Sequence, residues 1–131
     1  MTSDVSGTTK FVSTEELFES VRNSVYPTAI TTFDVNDPKL VFANVAHKKL
    51  TGYSAEDIIG KNPRMFQGDR TDRTVVGDIK SSLKSFDSWE GKILNYTKSG
   101  KPYMVFLLIF GVSTSFGERF YVVVKRKGSA Q

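Results

Sequence analysis

The side chains that carry covalent and metal chemistry are scarce in this sequence. None of the 131 residues is cysteine, which excludes disulfide frameworks, thiolate metal sites, thiol nucleophiles and any cysteinyl bond to a cofactor. His47 is the single histidine, and neither a Ser-His-Asp set nor a metal-spaced cluster surrounds it. Gly52, Gly60 and Gly68 stand alone as helix stops, not as a glycine-rich phosphate loop. Asp69, Asp72 and Asp78 lie near Arg70 and Arg73 and read as a solvated face. No catalytic residues and no metal site are therefore expected, and the chain is not read as an enzyme. Lys and Arg total 18 against 14 Asp and Glu. The clusters Lys48-Lys49 and Lys125-Arg126-Lys127 are too short for a basic recognition face, so they read as a rim and a terminal tail, and nucleic acid is not an expected partner.

With 39% apolar and 24% charged residues and a net charge of +4, the composition is that of an ordinary folded domain. No apolar run approaches the ~20 residues of a membrane span, and the first ten residues lack the pattern of a secretory signal. A cytoplasmic location is the resulting expectation.

Four divisions are expected: a flexible segment 1–12, an amphipathic flanking helix in 13–26, a domain over 27–127 and a tail 128–131. Ser13-Thr14-Glu15-Glu16 has the spacing of a capping box, and Leu17, Phe18, Val21 and Val25 follow at helical spacing up to Pro27. Residues 28–33 and 39–43 read as a hairpin around Asp34-Val35-Asn36-Asp37-Pro38. Asn44 and Ser54 fit helix caps, and Pro63 suits the first position of a further short turn. Val75, Val76, Ile79 and Leu83 place a longer helix in 71–83. Three strands, 89–97, 103–112 and 119–127, are separated by glycine-containing turns. Strands at both ends with helices between them predict an α+β fold, one antiparallel sheet with helices on one face.

Leu50-Thr51-Gly52-Tyr53-Ser54, Gly60-Lys61-Asn62-Pro63-Arg64-Met65-Phe66-Gln67-Gly68, Leu94-Asn95-Tyr96 and Lys98-Ser99-Gly100-Lys101-Pro102-Tyr103 follow one another in order. Together they resemble the signature of PAS domains, most closely the flavin-binding LOV subgroup. The resemblance implies a five-stranded antiparallel sheet in the order 2-1-5-4-3 around a pocket. It implies a sensory or regulatory module that acts through protein–protein interaction. In LOV domains a cysteine after the asparagine that Asn62 matches bonds to the flavin in light; Pro63 stands there in this chain, so no adduct can form.

The same resemblance assigns Asn62, Arg64 and Gln67 to the side chain and phosphate of a flavin, Lys80 to a second phosphate contact and Asn95 to the ring's polar edge. It puts Val105 at a second asparagine position and Val124 at the glutamine that senses the ring; a slip of one residue would put Lys125 there instead, but alternation places Phe120, Val122 and Val124 on one face and supports the valine. Two valines would leave polar ring atoms unpaired at about 1 to 3 kcal/mol each, so FMN or FAD could be bound weakly or not at all. Trp89 resembles the tryptophan of cysteine-free FAD-binding relatives. His47 takes the place of an aromatic residue and is expected to pack. The signal would leave through Leu17, Phe18 and Val21 and through a sheet face bearing Leu107, Ile109, Tyr121 and Val123, to a second protomer or an effector domain. A cysteine-independent flavin or small-molecule sensor and a regulatory cap on a larger enzyme, kinase or channel are the alternatives.

Overall fold

The computed structural model describes residues 12–128. Apart from Val12 and Gly128, the expected flexible segment 1–12 and tail 128–131 lie outside the described residues. The predicted element order is present in full: α1 (Thr14–Asn23), β1 (Thr28–Thr32), β2 (Leu40–Ala43), α2 (Val45–Thr51), α3 (Ala55–Ile58), a 3-10 turn (Pro63–Phe66), α4 (Arg73–Phe86), β3 (Ser88–Tyr96), β4 (Pro102–Ser113) and β5 (Arg119–Lys127). The strands form one antiparallel sheet in the order β2-β1-β5-β4-β3.

Cross-strand register fixes which side chains share a face, because neighbours along a strand point oppositely. Ala29 lies opposite Val123, Val123 opposite Ile109, and Ile109 opposite Trp89. One step along, Lys125 is opposite Leu107 and Leu107 opposite Gly91. These rows pack toward the helical side, where Ile109 and Tyr121 meet Leu83 and Ile79 of α4. The alternate row, Ile30, Val122 and Phe110, packs beneath Leu17, Phe18 and Val21 of α1 on the other face.

This divides the interaction surface expected from the sequence. Leu17, Phe18 and Val21 do sit on the amphipathic helix, which folds back over its own sheet. Leu107, Ile109, Tyr121 and Val123 do not face outward; they point to the helical side. The runs Phe106-Leu107-Leu108-Ile109-Phe110 and Tyr121-Val122-Val123-Val124 are apolar at every position, so no alternation marks the outer row. That row is Phe106, Leu108 and Phe110 with Phe120, Val122 and Val124. Helix α1 leaves part of it uncovered: Leu108 is 43% and Met104 38% exposed, and Lys92 and Arg126 lie over the Phe106 ring at 5.5 and 5.0 Å.

Helix α1 is held at both ends. Ser13 Oγ accepts from the Glu16 amide at 3.0 Å, and the Ser13 amide donates to Glu16 Oε1 at 2.8 Å, completing the capping box. At the other end Asn44 joins three elements. Its Nδ2 donates to the carbonyls of Val21 and Tyr26, each at 2.9 Å. Its Oδ1 accepts from the amides of Thr28 at 3.1 Å and His47 at 2.9 Å. The residue is 5% exposed, so Asn44→Ala strands these buried groups together and should cost about 2 kcal/mol. Denaturant unfolding measures this; a loss below half that value would mean that water replaces the clamp.

Thr51-Gly52 joins α2 to the β3–β4 hairpin. The Thr51 carbonyl accepts from the Lys98 amide at 2.8 Å. Gly52 ends α2 at φ +82°, a left-handed conformation that other L-residues adopt only with strain.

Candidate functional site

A cavity of about 320 Å³ lies between the inner face of the sheet and the side formed by the 3-10 turn and α4. This is within the range of small-molecule sites. Its floor is apolar, with Phe66, Val76, Ile79, Leu83, Ile93, Leu107, Ile109 and Val123 on the lining. Polar residues interrupt it, and the five expected from the sequence, Asn62, Arg64, Gln67, Lys80 and Asn95, all reach it.

Local structure explains how they arrive there. Pro63 opens the 3-10 turn, and Asn62 caps it by accepting from the Arg64 amide at 2.8 Å through Oδ1. Asn62 Nδ2 donates to Asp37 Oδ1 at 2.9 Å, and this bond leads the effects that hold the Asp37 carboxyl below its usual range, with Lys39 second. Both ends of the Asn62 amide are thus engaged within the protein, so this residue positions the turn that presents Arg64. Gln67 is held by Arg73, whose Nη1 donates to Gln67 Oε1 at 3.1 Å. Arg73 itself lines the cavity. It went unnoticed in the sequence because Asp72, the cap of α4, disguises it as half of a charged pair. Arg64, Arg73 and Lys80 are exposed and make a cationic rim. Asn95 is 4% exposed; its Nδ2 reaches only the Leu94 carbonyl, at 3.3 Å.

The two valines are corrected by the register. Val124 packs against the α1 side of the sheet and cannot meet a pocket ligand. Val105 faces the helical side but is fully buried among Ile93, Tyr103 and the start of α4, beneath the cavity lining. The β5 residue that does line the cavity at this level is Lys125.

Lys125 is 3% exposed, and its Nζ has no hydrogen-bond partner among the described residues. That amine sits 3.8 Å above the Phe66 ring, and burial pushes it down from 10.5 to about 7. Nearby, His47 is fully buried with its ring edge-on to Phe66, the centroids 5.5 Å apart, and neither ring nitrogen is hydrogen-bonded to a described residue. Burial first, and then the charge of Lys125, hold the imidazole down to about 2. His47 therefore packs as a neutral ring, as expected. Trp89 lies among Leu83, Ile109 and Tyr121, with its ring against Gly91 and off the cavity lining.

The donor set suits a planar, acceptor-rich ligand with an anionic tail, as a flavin nucleotide is. The rim offers cations to a phosphate, Asn95 offers an amide to a ring edge, and the orphaned Lys125 amine stands on the wall. No cysteine is present to bond covalently with such a ring.

Comparison with known proteins agrees with this architecture. Residues 27–125 match the PAS domain family. A blue-light-activated histidine kinase of Brucella anthropi is 45% identical over 97 residues, covering 74% of this chain and 20% of that protein. Protein TWIN LOV 1 of Arabidopsis thaliana is 36% identical over 91 residues, covering 66% of this chain and 22% of its own. The chain thus spans about a fifth of the length of these curated relatives. Among solved structures, a light-oxygen-voltage domain from a study of a flavin analogue superposes with a TM-score of 0.77 at 26% identity, covering 87% of this chain and 85% of that one. The LOV domain of an Erythrobacter litoralis blue-light-activated histidine kinase shares the fold, with a TM-score of 0.73 at 24% identity, over 80% of this chain and 97% of its own. Among the described residues, no helix is long and apolar enough to cross a membrane.

Proposed function

Because the chain belongs to the PAS domain family and stands close to LOV domains, we propose that it is a sensory and regulatory module whose cavity binds a flavin-class ligand without forming a covalent adduct. The observation that carries this reading is the convergence of Arg64, Arg73 and Lys80 at the rim with Asn95 inside one apolar cavity. When bound, a flavin supplies light absorption and electron-accepting chemistry; the chain's own residues hold and orient it. With no thiol in the sequence, any response to light proceeds without a sulfur–flavin bond. The chain itself is read as non-catalytic. Its output passes through α1 and the uncovered outer row of β4 to an effector or a second copy, and the kinase context of its relatives favours an effector in the same polypeptide.

Fluorescence titration tests the binding. FMN should saturate the purified chain, and Arg64→Gln/Lys80→Gln should weaken FMN by about tenfold while leaving riboflavin, which lacks the phosphate, within twofold. Failure of both FMN and FAD to bind would remove flavin from the reading. Illumination of the loaded protein should leave it without the spectrum of a thiol adduct.

A further inference from the structure

Burying a lysine side chain in apolar surroundings is unfavourable unless its amine finds a partner. Among the described residues Lys125 pairs only with the face of Phe66. The side chain belongs to the cavity wall, since β5 points Tyr121, Val123 and Lys125 to the same side. Among the described residues no counter-charge reaches it there. The one carboxylate among the lining residues is Asp34. Its Oδ1 already accepts from the amides of Asn36 and Asp37, at 3.0 and 3.1 Å. The cavity therefore presents four cationic side chains, Arg64, Arg73, Lys80 and Lys125, against one carboxylate. Three of the four are exposed at the rim, while Lys125 is enclosed.

We propose that the Lys125 amine is the inner recognition point of this cavity, binding an anionic or strongly accepting atom on the ring of a planar aromatic ligand whose second anionic group rests on the rim. This deepens the reading of the cavity as a ligand site and rests on it. The face of Phe66 gives the amine a weak partner at 3.8 Å, and an acceptor on a bound ring would give it a stronger one. The burial of Lys125 also lowers its attraction for water, so an incoming acceptor meets a donor that is already desolvated. The site selects by charge: it favours electron-rich rings and disfavours cationic ones, which would face Lys125 as a like charge.

The test compares the wild-type chain with Lys125→Met, which keeps the length and apolar stem of the side chain and removes the amine. FMN is the first probe and 1-anilinonaphthalene-8-sulfonate the second, both followed by fluorescence, with unfolding measured alongside to show that the variant is folded. The expected result is at least a tenfold weaker FMN affinity in Lys125→Met. Equal or tighter FMN binding by the variant overturns the role of Lys125 and leaves the flavin reading standing. If the wild-type chain binds no flavin, the flavin reading fails, and the sulfonated probe decides the proposal alone. A tenfold loss of that probe in Lys125→Met supports the proposal; equal affinity overturns it.

Discussion

Lys125→Met is expected to raise the free energy of unfolding at pH 7 by about 3 kcal/mol. The amine is ordinarily protonated up to 10.5, but in the folded chain burial holds it down to about 7. Between those values the unfolded chain binds a proton that the folded chain does not, so stability rises with pH across this window. The penalty is full at and below pH 7 and fades toward 10.5. At about 1.4 kcal/mol per pH unit it amounts to roughly 4 to 5 kcal/mol. The lost contact between the ammonium and Phe66 subtracts up to about 2 kcal/mol from the gain. Methionine retains the apolar stem and fills the same volume. The advantage of the variant should shrink by more than half at pH 9.5, still below the range of Tyr103, which burial pushes up to about 12. Denaturant unfolding at pH 7 and 9.5 measures both effects. Equal stability of the two chains at pH 7 would show that the amine is solvated after all. A variant that gains stability while losing ligand affinity has the signature of a side chain kept for binding.

The second large effect lies on the acid side. His47 is held down to about 2, so from about pH 6.5 downward the unfolded chain takes up a proton that the buried ring refuses. Stability should fall by about 1.4 kcal/mol per pH unit below 6.5, or roughly 2 to 3 kcal/mol by pH 4.5. Asp37 and Asp57 act in the same direction, but their folded carboxyls are held below 3.8, so they contribute chiefly below pH 4. His47→Phe preserves the edge-on packing against Phe66 and has no ring nitrogen to protonate. Its unfolding free energy should be nearly flat between pH 6.5 and 4.5 and higher than wild type at neutral pH. A wild-type chain as flat as the variant in that interval would contradict the neutral, unpartnered imidazole.

Local signals made most of the fold legible. The Ser13 box, the Asn44 cap, the glycine after Thr51 and the proline at the head of the 3-10 turn each fix a boundary by a backbone requirement that their side chains meet. Five cavity residues were also legible through the resemblance to LOV domains. What could not be read was the facing of β4 and β5. A strand buried on one face announces that face by alternating with polar residues, but here α1 covers the second face and both rows are apolar. Lys125 reads from the sequence as part of a basic tail with Arg126 and Lys127, and a shift of one residue that would make it the ring-sensing residue loses to Val124, which does share a face with Phe120 and Val122, but the face under α1. Register, which depends on β1 lying beside β5, turns Lys125 inward. Only the pairing of distant strands carries that information.

That same pairing sets the order in which the domain can assemble. The β3–β4 and β4–β5 hairpins join neighbours in the chain and can form early, as can the β1–β2 hairpin. The seam between β1 and β5, with Thr28 opposite Val124, closes a loop of nearly the whole domain, whose entropy must be overcome before the seam contributes contacts. During synthesis β1 emerges long before β5 and, though Ala29 and Ile30 can already pair with Ala43 and Phe42 of β2, its other edge waits for Val123 and Val122. Completion of the sheet, formation of the cavity wall at Lys125 and seating of α1 over Val122 and Val124 therefore belong to one late event, and a nascent chain short of β5 has neither a cavity nor a docked helix.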